Sequence, residues 1–219
     1  MSTECTTSAR KSRGRPKQFD REAALSKALN LFWRHGYEAT SLADLVEATG
    51  AKAPTLYAEF GNKEGIFRAS VEHYLSAFAE HSFVALRQTD LSVAQAIEQY
   101  LRSSADLFTD CSTPSGCFMV CTSSALSSSS EDIANMLRSR HHLQESTLRD
   151  YFEQRKQQGE MEAFTNSALL AKYLVCTVQG MSVQARDGAT RQDLQLLVDV
   201  VMRLWPQLSR IGSNQTAAE

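Results

Sequence analysis

Across the 219 residues, no apolar run approaches the roughly 18 residues that a membrane-crossing helix needs. A bilayer span and a membrane partner are therefore not expected. No apolar stretch stands near the first Met, so no secretory leader is expected either. The five cysteines lie at irregular spacing, without the CxxC pairs of a zinc site. With no export signal, that usage fits a reducing cytosol, and a cytoplasmic location is expected. The chain also lacks a Gly-rich phosphate loop, a Ser-His-Asp signature and a His-Glu-x-x-His motif. Catalytic residues and cofactors are therefore not expected. His141 and His142 are adjacent, so they face different sides of a helix and do not suggest a shared metal. No convincing strand and no internal repeat occurs.

What the sequence does contain is concentrated between Thr40 and Lys63. Ser41 is placed to cap a helix, and Asp44 three residues on completes a capping box. Leu42, Leu45, Val46 and Thr49 share one face at helical spacing. Gly50 follows, where a left-handed cap is needed. Pro54 restarts a helix, since its fixed φ and missing donor suit the first turn. Leu56 and Phe60 turn inward, which points Thr55, Tyr57 and Ala58 elsewhere. Two short helices joined this way form a helix-turn-helix over 41–60, whose second helix reads a DNA major groove with its N-terminal residues.

The same residues carry a family resemblance. Pro54-Thr55-Leu56-Tyr57, then Phe60, then Asn62-Lys63-Glu64 resembles the recognition-helix signature of the TetR family of bacterial regulators. Phe32, Gly36-Tyr37 and Thr40-Ser41 match in the same register. The resemblance runs from about Phe19 to Leu75; beyond that, only helix number and length agree. Ala58 and Glu59 depart from it, standing where members often carry an aromatic or a His. Glu59 would repel phosphate, so it is expected to face away from the backbone or to accept from a cytosine amino group.

Charge follows the same division. Residues 1–65 hold 10 Lys plus Arg against 8 Asp plus Glu, and the remainder holds 13 against 17. The basic end carries the helix-turn-helix, as DNA binding requires. Residues 1–18 lack apolar periodicity and read as a disordered basic arm. Within it, Arg13-Gly14-Arg15-Pro16 resembles an AT-hook core, in which thin, extended chain lets Arg13 and Arg15 enter a narrow minor groove. The plainer reading is a solvated charged tail.

The rest of the chain reads as helix, giving an all-α fold. An N-terminal helix-turn-helix domain over 19–81 precedes a helical effector-binding and dimerisation domain over 82–219. The first helix runs from Asp20 to His35 and ends at Gly36. A fourth begins near Asn62 and is long enough to touch the second domain. Later helices are expected over 91–109, 117–125, 131–158, 166–185 and 191–205, the last ended by Pro206. Leu194, Leu197, Val198, Val201 and Trp205 form the expected dimer stripe on that helix. Two copies would make a four-helix bundle, the packing the resemblance also implies; the alternative is that the last two helices simply complete the core of one subunit.

These residues point to a homodimeric transcriptional repressor on a palindromic double-stranded operator, released by an unidentified small-molecule effector. Ser41, Lys52, Pro54, Thr55, Tyr57 and Lys63 are the expected DNA contacts, with Lys52 and Lys63 on phosphates and Tyr57 donating its hydroxyl to one. Tyr100, Phe108, Cys117, Met119, Cys121, Met136, Tyr173 and Gln179 are the pocket candidates. An alternative is a thiol- or copper-responsive sensor on the same scaffold using Cys111, Cys117 and Cys121. A DNA-binding protein without a ligand is the third reading.

Overall fold

A computed structural model describes residues 19–212. The basic arm, with Arg13 and Arg15, lies outside the described residues. Ten α-helices follow one another: α1 (Arg21–Ala39), α2 (Leu42–Thr49), α3 (Ala53–Phe60), α4 (Lys63–Tyr74), α5 (Glu80–Ser82), α6 (Val93–Phe108), α7 (Phe118–Ser123), α8 (Glu131–Gln157), α9 (Ser167–Arg186) and α10 (Arg191–Leu208). No strand occurs among the described residues, and none of these helices is long and apolar enough to cross a membrane.

Local chemistry sets most boundaries. Asp20 caps α1, accepting from the Ala23 amide at 3.0 Å. Gly36 breaks its helical path at φ 81° and ψ 170°, as expected. The Ser41/Asp44 capping box forms in both directions, at 3.2 and 2.7 Å. Ser92 and Gln95 make a second box at the start of α6, and Thr190 and Asp193 a third at the start of α10. Pro206 does not end α10, which continues to Leu208. Proline costs one backbone bond, and here it falls where only half a turn of helix remains.

Between α4 and α5, Leu75–Ala79 winds as π-helix, and after α5 Val84–Arg87 adds a 3₁₀ turn. Neither has a sequence signature. The π segment widens the helix as it leaves the DNA-binding end.

An aromatic seam ties the two ends together. The Phe118 ring lies 6.0 Å from Trp33, 5.4 Å from Phe67 and 5.6 Å from Tyr74. Trp33 and Tyr74 meet edge-to-face at 5.1 Å. Gly116 admits this approach: at φ 82°, a Cβ there would sit 2.7 Å from the Ser182 carbonyl oxygen. The Ser182 hydroxyl accepts from the Cys117 amide at 2.7 Å. From α9, Arg186 donates to the Trp33 carbonyl at 3.2 Å. The helix-turn-helix is thus mounted on α7 and α9.

The faces of α10 correct the expected dimer stripe. Leu194, Val198, Val201 and Trp205 are buried in the subunit itself, α10 packing on α6 and α9. Arg102 fixes that packing with 2.7 Å bonds to Glu98 and Asp199 and a 2.6 Å bond to Gln195. Of the expected stripe only Leu197 faces out, and it does so with Leu196, Val200 and Leu204. A single stripe could not separate the two faces, because apolar residues occupy both.

Candidate nucleic-acid interface and interior cavity

Helix α3 is held by one buried side chain, Leu56. Gly50, at φ 70° and ψ 9°, turns the chain out of α2, and its amide donates to the Val46 carbonyl. Lys52 then precedes α3 with no side-chain cap bond, leaving it exposed at the helix start. Pro54 and Ala58 are exposed, Thr55 is half-buried and Tyr57 is 44% exposed. Ser41, Lys52, Pro54, Thr55 and Tyr57 therefore lie on or beside the N-terminal side of the helix pair. That polar, cation-bearing surface suits phosphate oxygens through its side chains rather than its amides, since Pro54 has no N–H and the Thr55 and Leu56 amides donate to the Lys52 carbonyl at 2.9 and 3.1 Å.

Lys63 is placed differently from the other expected contacts. Its ammonium sits 4.3 Å from the Tyr37 ring centroid and 3.4 Å from the Glu38 carbonyl oxygen. Burial pulls its pKa down, against the pull of Glu38 and Asp44. It fastens α4 to the end of α1 rather than standing free towards DNA. Glu59 is also engaged: Arg21 donates to it at 2.7 Å, while the guanidinium lies 5.3 Å from the Phe60 ring. The acidic side chain that breaks the family pattern is thereby held by a cation. Arg21, Tyr37 and Glu38 were not expected to matter here, since nothing local links them to α3 or α4.

Glu38 makes a further link. It accepts from the Ser127 hydroxyl at 2.7 Å and the Ser130 hydroxyl at 2.6 Å. These bonds hold its carboxyl below the usual range. The end of α1 is thus tied to the start of α8.

The interior holds a cavity of about 330 Å3. Its walls come from the α4 end, the π segment, α6, α7, α8 and α9. Tyr100, Phe108, Cys117, Met119 and Gln179, all pocket candidates, line it. Cys121, Met136 and Tyr173 do not. Cys121 lies against Gly116, Met136 falls outside the cavity-facing stretch of α8, and Tyr173 faces an outer groove with Cys176 and Leu197. Tyr74, Leu75, Phe83, Leu107, His141 and Gln144 complete the wall; helix periodicity marks such residues as core without telling which border a void. Tyr74 donates to the Cys117 sulfur at 3.3 Å, and Gln144 donates to the Tyr100 hydroxyl at 2.9 Å. Burial pushes the Cys117 thiol up, opposite to the shift a reactive thiol needs. Cys111 is exposed while Cys117 and Cys121 are buried. Among the described residues no group of three or more His, Cys, Asp and Glu side chains could hold a metal ion.

Residues 24–70 match the model of the bacterial regulatory proteins of the tetR family. The chain is 52% identical over 208 residues to the HTH-type transcriptional repressor ComR of Escherichia coli (strain K12), covering 95% of this chain and 99% of that one. The chain belongs to the TetR family. It is a DNA-binding transcriptional regulator with a TetR fold. A second relative, the HTH-type transcriptional repressor BdcR of the same strain, is 28% identical over 83% of this chain and 86% of its own. Among solved structures, a cysteine mutant of the TetR family regulator CifR, complexed with 26bp double-strand operator DNA, superposes with a TM-score of 0.83. It is 33% identical, covering 88% of this chain and all of that one.

Proposed function

We propose that this TetR regulator is a homodimeric repressor that holds a palindromic operator through α3 and leaves it when a small molecule fills the interior cavity. The observation that carries this reading is the wall of that cavity. It is built partly from Tyr74 and the π segment, the direct continuation of the helix that follows α3. Lys52 meets phosphate, Thr55 meets a base edge and Tyr57 meets either, while Arg13 and Arg15 reach the flanking minor groove. Lys63 acts as a fastening for α4.

The dimer forms through the outer faces of α9 and α10. Val183, Leu196, Leu197, Val200 and Leu204 are large apolar side chains left exposed there, and one helix-turn-helix alone reads too few bases for useful specificity. Occupation of the cavity shifts α4 relative to α8 and changes the spacing of the two recognition helices, so both half-sites are no longer met together.

The test is an anisotropy titration on operator selected by the protein itself, with wild type and a variant whose cavity is filled by Leu107→Trp. The reading expects the filled variant to differ from wild type in operator affinity, with unchanged helical content. Identical affinity, together with insensitivity of both to every cavity-binding compound, would contradict it.

A further inference from the structure

The enclosed part of the cavity carries no free charge. Arg140 is bound to Glu72 of α4, so a ligand carboxylate would have to break that pair. Arg87 and Glu80, the other charged side chains on the lining, lie at the exposed rim. Deeper in, several polar groups satisfy one another. Tyr74 donates to Cys117, Gln144 donates to Tyr100, and the Ser104 hydroxyl donates to the Tyr100 carbonyl at 2.8 Å. Leu75, Phe83, Leu107, Phe108, Met119 and Val178 supply apolar wall.

One cavity-lining group stands apart. Nε2 of His141 is buried and lacks a hydrogen-bond partner, the only such side-chain nitrogen or oxygen on this lining among the described residues. An orphaned buried nitrogen is costly; the imidazole has to turn towards the cavity to expose it, and a ligand that draws the ring round and pairs with Nε2 recovers that cost. Burial also favours the neutral imidazole, with His142 adding to the shift. A charged ligand would be stripped of water here without a counter-charge.

We propose that the effector is an uncharged, mainly apolar molecule carrying one polar group to Nε2 of His141. This rests on the reading of the cavity as the effector site. The class excludes organic anions and metal ions as cavity ligands. His141 follows Arg140 on α8, and Arg140 grips α4. A ligand that engages His141 therefore acts beside the link between the two helices.

A matched probe pair tests the class. N-phenyl-1-naphthylamine is neutral, offers one N–H and fluoresces on leaving water. Adding a sulfonate beside the bridging nitrogen gives 8-anilino-1-naphthalenesulfonate, which would carry its charge into the enclosed part. The neutral probe is expected to bind at least about tenfold more tightly than the anion, one buried unpaired charge being the difference. His141→Phe keeps a ring but removes both nitrogens, and is expected to weaken the neutral probe about fivefold. Val178→Trp and Leu107→Trp, each with a wild-type far-ultraviolet spectrum, are expected to abolish its signal.

Equal or tighter binding of the anion would overturn the proposal, as would binding of neither probe or a signal untouched by both Trp variants. Unchanged affinity in His141→Phe would overturn the role of His141. Tight neutral binding that leaves operator affinity unaltered would support the ligand class for the cavity and overturn the effector reading instead.

Discussion

The helix-turn-helix and the C-terminal hairpin expose opposite kinds of surface. On α3 the outward residues are polar or amphipathic, with Lys52, Thr55 and Tyr57 beside Pro54. On α10 they are Leu196, Leu197, Val200 and Leu204. The first surface carries donors and a cation but little apolar area, and suits a hydrated polyanion. The second carries apolar area without unsatisfied donors, and suits a second copy of itself. Each short helix in the motif needs one buried anchor, whereas α10 is apolar on two faces and needs two partners.

The largest expected effect comes from the outer face. Val200 is 51% exposed and Val201 is 5% exposed. Val200→Glu is expected to dissociate the dimer while leaving the subunit folded, because two like charges would be desolvated near the two-fold axis at several kcal/mol per ion. Operator affinity is expected to fall roughly a hundredfold or more. Val201→Glu is expected to unfold the subunit instead. Sedimentation with circular dichroism distinguishes the two outcomes, and a folded dimer in Val200→Glu would break the comparison.

A smaller loss is expected from Tyr57→Ala, about tenfold in operator affinity with the dimer intact. Titration at two salt concentrations checks it, and a simultaneous change in oligomeric state would blur the two surfaces. Next comes Gly50→Ala. Nothing lies within 4 Å of a Cβ built there, so its cost is conformational, about 1–2 kcal/mol for a left-handed residue. A thermal melt reads it directly, and an unchanged midpoint would count against the turn geometry.

How much of this was legible from sequence depends on whether the signal was local. The Ser41/Asp44 box, the left-handed Gly50 and the restart at Pro54 are fixed within three or four residues, so α2 and α3 could be read directly. The broken path at Gly36 was equally plain. By contrast, the cavity gathers Tyr74, Tyr100, Met119, His141 and Gln179 from five separate stretches, and only packing brings them together. The pocket candidates read from the sequence included Tyr100, Phe108, Cys117, Met119 and Gln179 but not Tyr74 or His141. On α10, period and apolarity gave a stripe without its edge, so Leu197, which is left exposed, was grouped with the buried Val201 one turn along. Lys63 was read as a phosphate contact because its aromatic partner, Tyr37, lies a full helix away.

The smallest effect concerns Glu38, which ties α1 to the start of α8. Hydrogen bonds from Ser130 and Ser127 hold its carboxyl below the ordinary 4.5. A depressed carboxylate contributes stability above its unfolded value and loses it as pH falls through the folded one. Its exposure limits this to a few tenths of a kcal/mol. Glu38→Gln is expected to lower the midpoint slightly at neutral pH, with the difference from wild type vanishing in acid below that range. A difference that grew on acidification would reverse the assignment.

Selection from a randomised DNA pool by the wild-type protein tests the central claim most directly. Two outward-facing α3 helices related by a two-fold axis predict an enriched palindrome, its half-sites separated by about one helical turn or a multiple of it. They also predict that Thr55→Ala and Tyr57→Ala relax the preference at symmetric positions in both halves. Enrichment of a single unpaired half-site, or of no sequence at all, would contradict the account.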